Sequence, residues 1–246
     1  MNKKNIHFHD FHSGHCDFAQ SILKSLGTKP ATIAPKFFYD SQGAQLFDAI
    51  TELPEYYQTR TEMAILSANV DQIASQVGTG SVLIEPGGGN CAKIHILLDG
   101  LKPDVYIPMD IAKEHLRQSS QELALAFGWL EIHATCIDYS DEMRLPPFDS
   151  SFDKKGHRVV FFPGSTIGNF TPQESIDFLS SIAQMIGPDG YLLIGVDLKK
   201  DKAMLEAAYD DAAGITARFN LNLLTRINRE LGGNFDLDAW QHKALY

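Results

Sequence analysis

The first chemistry in this chain lies in one short run, Val82-Leu83-Ile84-Glu85-Pro86-Gly87-Gly88-Gly89-Asn90-Cys91-Ala92-Lys93. Glycines let the backbone approach a ligand closely. A helix opening just after them offers N–H groups that have no partner within the helix. Asp110 ends a second apolar run, VYIPMD, 21 residues after Gly89. That is near the spacing at which an acid meets a ribose hydroxyl. Asp138 ends a third apolar run, IHATCID. A glycine turn with acids at neighbouring strand ends suits a ligand that contains adenosine. Glycines also build tight turns that bind nothing, so the turn alone does not decide.

Two ligand classes then separate. A dinucleotide site presents helix N–H groups to a pyrophosphate and carries a third glycine. Here Cys91 and Ala92 stand after Asn90, and that glycine is missing. S-adenosylmethionine has no phosphate; it carries a sulfonium cation and an amino-acid tail. Glu85 beside the turn is tolerable next to that cation and awkward beside pyrophosphate, which favours a methyl donor. Cys91 has no histidine next to it in sequence and reads as a turn residue rather than a nucleophile.

The elements that must hold these residues alternate. Strands are expected over 81–86, 105–110, 131–138, 158–165 and 191–197, with helices over about 90–100 and 113–127. Thr171-Pro172-Gln173-Glu174 is a capping box with proline at the first helical position. Its helix carries Ile176, Leu179, Ile182 and Ile186. Repeated strand–helix–strand units imply a parallel sheet with right-handed crossovers, whose ligands gather at the carboxyl ends of the strands. Pro86, Asp110, Asp138, Gly164 and Asp197 fall there. After Asp197 only helical patterning continues.

The region before the core is less regular. Thr59 and Glu62 read as a second capping box, opening a helix that runs to about Val77. Tyr39, Tyr56 and Tyr57 lie in aromatic segments ahead of it. They serve either as packing aromatics or as phenols that bind a small polar substrate. His7, His9, His12, His15 and Cys16 cluster near the start. Their spacing matches no closed tetrahedral metal motif, so a solvated arm is expected rather than a metal site. Residues 17–26 suit a short helix.

The 246 residues suffice for one large α/β domain or a core with a smaller second domain. The formal net charge of -10 argues against a nucleic-acid groove or an anionic membrane surface as the main partner. No run approaches the roughly 18 apolar residues of a membrane span. The start has no apolar signal core. Three cysteines without metal spacing point to a reducing cytoplasm.

Longer motifs make the reading specific. PKFFYD, LFDAITELPEYYQTRTE, the glycine turn with Lys93, YIPMD, Asp138-Tyr139, GSTIGNFTP, GVDLKKD and AYDDAAGITARFN run in order from about residue 30 to the end. With these the chain resembles the L-histidine Nα-methyltransferases of ergothioneine biosynthesis. LPEYYQTRTE and GSTIGN carry most of the specificity. The resemblance implies a Rossmann-like class I methyltransferase core with a parallel sheet, plus a smaller, mostly helical substrate-binding region. It implies S-adenosylmethionine as donor and trimethylation of the α-amine of L-histidine to hercynine. A related branch acts on the α-amine of a prenylated tryptophan.

By the same resemblance, Gly87, Gly89 and Lys93 belong to the donor loop. Asp110 takes the ribose hydroxyls, and Asp138 and Tyr139 contact the adenine. Tyr39 and Tyr56 contact the substrate, with Tyr56 reaching the imidazole. Gly164, Asn169 and Tyr209 grip the substrate's amino and carboxylate groups. Tyr39 and Asn169 are the residues nearest the chemistry. No metal is implied. The expected division is 1–60 for an N-terminal arm and part of the substrate region, 61–197 for the donor-binding core, and 198–246 for a helical substrate-binding segment. The family continues beyond the position of Tyr246, supplying final strands and further imidazole contacts. A shortened chain is therefore expected, with a non-catalytic donor-binding module or a methyltransferase for another amino acid as alternatives.

Overall fold

The computed structural model describes residues 5–11, 16–89, 93–140, 143–149 and 156–246. The chain divides into two compact units. One comprises Met1–His12 with Arg60–Asp197, the other Ser13–Thr59 with Leu198–Tyr246.

The first unit is built on a sheet of strands β1 (Ile6–Asp10), β2 (Val82–Pro86), β3 (Val105–Asp110), β4 (Glu131–Cys136), β5 (Arg158–Phe162) and β6 (Tyr191–Ile194). The spatial order is β1-β4-β3-β2-β5-β6, and every pairing is parallel. Helices α3 (Tyr57–Val77), α4 (Ile94–Leu101), α5 (Lys113–Ala126) and α6 (Pro172–Ile186) supply cover for the sheet. Successive residues of β2 serve opposite faces, as strand geometry requires. Leu83 packs with Leu66 and Val77 of α3, Leu97 and Leu101 of α4, and Leu123 of α5. Val82 and Ile84 pack on the other side with Phe178 and Ile182 of α6. A sheet buried on both faces reads as near-continuous apolar runs, which is why β2 and β3 were visible in the sequence.

The sequence expectations differ from this structure at three places. Residues 6–10 form a strand, not a solvated arm, and pair in register with β4 from Ile6↔Ile132 to Asp10↔Cys136. The sheet thus has six strands where five were expected. The strands expected to reach 138, 165 and 197 stop at Cys136, Phe162 and Ile194, so the residues beyond them are loops. Finally, α3 already begins at Tyr57, which puts Glu62 in its second turn and not at a cap. The other capping box forms as expected. Thr171 Oγ1 accepts from the Glu174 amide and Glu174 accepts from the Thr171 amide.

The second unit contains α1 (Cys16–Leu26), a 3-10 turn over Pro35–Phe38, and helices α2 (Ser41–Thr51), α7 (Lys202–Ala208) and α8 (Ile215–Leu231). Its core gathers Ile22, Phe37, Leu223 and Ile227. Asp40 ties α2 to α8. Its carboxylate accepts from the Gly43 amide at 2.8 Å, from Asn222 Nδ2 at 2.8 Å and from an Arg229 guanidinium nitrogen at 2.7 Å. Burial opposes ionisation there, but Arg229, Gly43 and Asn222 together hold the carboxyl below its ordinary range. Gly43 has no alternative side chain, because a Cβ would lie 1.8 Å from the carbonyl oxygen of Phe38.

Candidate active site

In the first unit, β2 and β3 deliver their last residues to the same end of the sheet. Glu85 is buried, and Tyr106, one strand away, donates its hydroxyl to Glu85 Oε2. Burial is the main reason the Glu85 carboxyl is pushed up to about 7, with the Tyr106 hydroxyl and the charge of Lys93 opposing it. The glycine turn passes directly over this acid. A Cβ on Gly88 would sit 3.2 Å from both Glu85 Oε2 and the Tyr106 hydroxyl. Gly87 bends the chain with φ +80°, a conformation glycine adopts without strain.

The turn's amides are already bonded within the protein. Gly87 N and Gly88 N both donate to the carbonyl oxygen of Met109, at 2.7 and 3.2 Å, and the Gly89 amide bonds to Asp110. Asp110 also accepts from the Ala112 amide at 2.8 Å. Burial raises its carboxyl above the ordinary range, against these hydrogen bonds and the nearby His115. A pyrophosphate would therefore find no unspent amide at Gly87, Gly88 or Gly89. A ribose, whose hydroxyls donate, finds a carboxylate acceptor. The residues present fit a phosphate-free adenosyl ligand.

Asp138 follows β4 and holds its loop by accepting from Ser140 N at 3.0 Å and Ser140 Oγ at 2.5 Å. Tyr139 packs edge-on to Phe162 and against Phe178, and its hydroxyl would be 3.3 Å from a Cβ on Gly87. Gly87 of the glycine turn and Tyr139 thus meet at one place.

Lys93 and Gly164 meet through a residue that the sequence reading assigned elsewhere. Lys93 Nζ pairs with Glu62 Oε2 at 2.5 Å, and the same carboxylate accepts from the Gly164 amide at 2.9 and 3.0 Å. Gly164 has φ +77° and Ser165 φ +56°. Ser165 Oγ in turn accepts from the Asp197 amide at 3.0 Å. Asn169 closes the 3-10 turn Thr166–Asn169 and is exposed. Cys136 is a buried thiol pushed up to about 12, chiefly by burial, which makes it a poor nucleophile. Cys91 and Asn90 lie outside the described residues.

The second unit gathers the three tyrosines. Tyr39 meets Phe47 and Phe219 edge-on, each with ring centroids 5.5 Å apart. Tyr56 is buried and meets Phe47 at 6.3 Å and Tyr209 at 5.8 Å, both edge-on. Gln58 Nε2 donates to the Tyr209 hydroxyl at 3.3 Å, while Gln58 Oε1 is buried without a partner. Gln58 and Tyr106 were not singled out from the sequence, and Glu62 was read there only as a helix cap. A glutamate inside an apolar strand must find a donor when buried, and a tyrosine in the neighbouring apolar run was the available signal. Gln58 had no comparable local mark, and the local mark on Glu62, its capping-box spacing from Thr59, pointed to a different role.

A parallel sheet carrying a buried acid under a glycine turn, with a second, partly buried acid at the next strand end, is an arrangement that fits an S-adenosylmethionine-dependent methyltransferase. The profile of the histidine-specific, S-adenosylmethionine-dependent methyltransferases matches residues 18–246, and the chain belongs to that family. It is 41% identical over 231 residues to a histidine N-alpha-methyltransferase of Mycolicibacterium smegmatis, covering 92% of this chain and 70% of that protein. It is 39% identical over 238 residues to the protein of that name from Mycobacterium tuberculosis, covering 95% and 72%. A 4-dimethylallyltryptophan N-methyltransferase of Claviceps purpurea is 27% identical over 206 residues, covering 80% and 57%.

Proposed function

We propose that this enzyme methylates the α-amine of L-histidine, adding methyl groups until the trimethylated betaine hercynine is formed, as a step toward ergothioneine. Family membership supports histidine as the substrate. The observation that carries the donor assignment is the turn whose amides are spent on Met109 and Asp110. Gly87, Gly89 and Lys93 form the donor loop, Asp110 receives the ribose hydroxyls, and Asp138 and Tyr139 flank the adenine. Gly164, Asn169 and Tyr209 hold the amino and carboxylate groups of histidine. Tyr39 and Tyr56 hold its other end. The partner is a small amino acid, with no nucleic acid or membrane partner. The proposed compartment is the cytoplasm, and among the described residues no helix is long and apolar enough to cross a membrane.

When bound, S-adenosylmethionine supplies an electrophilic methyl group on sulfonium, with a neutral thioether as the leaving group. The protein therefore has no leaving group to protonate. The amine must present a lone pair, and α-amines titrate near ~8, so a useful fraction is neutral without a strong base. Before each transfer the ammonium gives one proton to water, and the third transfer leaves a quaternary ammonium with no proton to lose. The task of Asn169, Tyr209, Tyr39 and Tyr56 is alignment, which supplies on the order of 7–11 kcal/mol when reacting groups are held in line.

The direct test is mass spectrometry of the chain incubated with S-adenosylmethionine and a panel of amino acids. A trimethyl gain on histidine alone is expected; gain on a tryptophan derivative and not on histidine would overturn the assignment. By calorimetry, Asn169→Ala is expected to weaken histidine binding and leave donor binding intact. Loss of the donor with histidine retained would remove Asn169 from the substrate grip.

A further inference from the structure

The pairing of β1 with β4 assembles a group of side chains that methyl transfer does not use. His7 lies directly opposite His133 in the parallel ladder, and Glu131 is two residues before His133 on the same face of β4. Their ligand atoms all lie within 4.8 Å of one another. Glu131 Oε1 is 2.8 Å from His133 Nε2 and 3.8 Å from His7 Nε2. The His7 and His133 rings stack at 4.6 Å, so both present an edge nitrogen to one carboxylate. From the geometry we infer that His7, His133 and Glu131 form a binding site for a late first-row divalent metal ion, zinc foremost.

Two imidazoles and a carboxylate, with a coordination position left for water, are a donor set that zinc accepts. His9 adds an independent feature. Its Nε2 lies 3.0 Å from His133 Nδ1, the nitrogen pointing away from Glu131. A metal-ligating histidine commonly fixes its second ring nitrogen in such a hydrogen bond, which sets tautomer and orientation. His133 is held inside the protein, whereas His7 is half exposed. Because the ligands come from two adjacent strands, a bound ion would join β1 to β4 as a clip.

The test is titration of the full chain with Zn²⁺ by calorimetry and with Co²⁺ by visible absorption, alongside thermal unfolding. One saturating ion per chain, the absorption of four-coordinate Co²⁺ and a raised unfolding midpoint are expected. His7→Ala and Glu131→Gln should each abolish saturable binding without preventing folding. His9→Phe should weaken binding about 10- to 100-fold, the usual effect of removing a partner of a ligating histidine. Absence of saturable binding would overturn the inference. So would binding that persists in the His7→Ala/Glu131→Gln double variant and is lost in His12→Ala/His15→Ala/Cys16→Ala, which would place the ion on another stretch of chain.

Discussion

Glu85 sets the charge beneath the glycine turn, and its burial gives it a pH dependence of known sign. An ordinary glutamate titrates near 4.5, while folded Glu85 does so near 7. Between those values the folded chain holds a proton that the unfolded chain has released, so stability falls as pH rises through this window. Above it the cost reaches on the order of 3 kcal/mol. Glu85→Gln should therefore raise stability at pH 8 relative to wild type and flatten the decline from pH 5 to 8. Denaturant midpoints at both pH values read this directly; parallel declines would assign the effect to another group. A cationic donor above the acid favours its ionised form, so donor binding should release protons near pH 7, measurable by calorimetry in buffers of different ionisation enthalpy. Asp110 is the proposed acceptor for the ribose hydroxyls. Its replacement by alanine should weaken donor binding by about 10- to 100-fold, the range for hydrogen bonds to a charged group, and leave histidine affinity unchanged.

At the scale of elements, the connection from α3 to α4 and the β5 loop runs through Glu62. Its carboxylate serves Lys93 and the Gly164 amide together. Removing one partner of a buried ion pair leaves the other charge uncompensated, at about 3–5 kcal/mol. Glu62 and Lys93 are each about 15% exposed, so solvent screening reduces this, and Glu62→Gln should cost about 1–3 kcal/mol. Urea unfolding checks it, and a loss smaller than that of an exposed pair such as Lys102–Asp99 would deny Glu62 its role. This residue also shows why the sequence was legible only in part. Thr59 and Glu62 have capping-box spacing, yet the helix starts at Tyr57, and the acid meets partners 31 and 102 residues away. Local spacing cannot report such partners. By contrast, β2 and β3 were legible because both faces are covered, so their residues had to be apolar up to the acid-bearing ends. β1 was hidden for the opposite reason: Ile-His-Phe-His-Asp alternates, and its histidines resemble a solvated tract. Gly87, Gly89, Asp110 and Tyr139, expected from the sequence to contact the donor, lie around one turn, which gives their proximity and not their roles. The tyrosines could be read as aromatic packing or as substrate contacts, and only their mutual packing is added by the structure.

For the whole molecule, β6 ends the sheet opposite β1, and among the described strands it pairs only with β5. Val196 and Leu198, just beyond it, are exposed. Exposed apolar residues beside an unpaired strand edge favour self-association. Val196→Lys should lower light scattering during heating and leave the unfolding midpoint nearly unchanged; equal scattering would direct attention to another surface. The opposite edge carries a different consequence. β1 is made well before its ladder partner, which ends at Cys136. At ~5–20 residues per second, the ribosome takes about 6–25 s to go from Asp10 to that position. Throughout that interval the strand has no register to adopt. Its alternating histidines keep one side compatible with water while the nascent chain waits, and the same rings become neighbours in the sheet only once β4 has emerged.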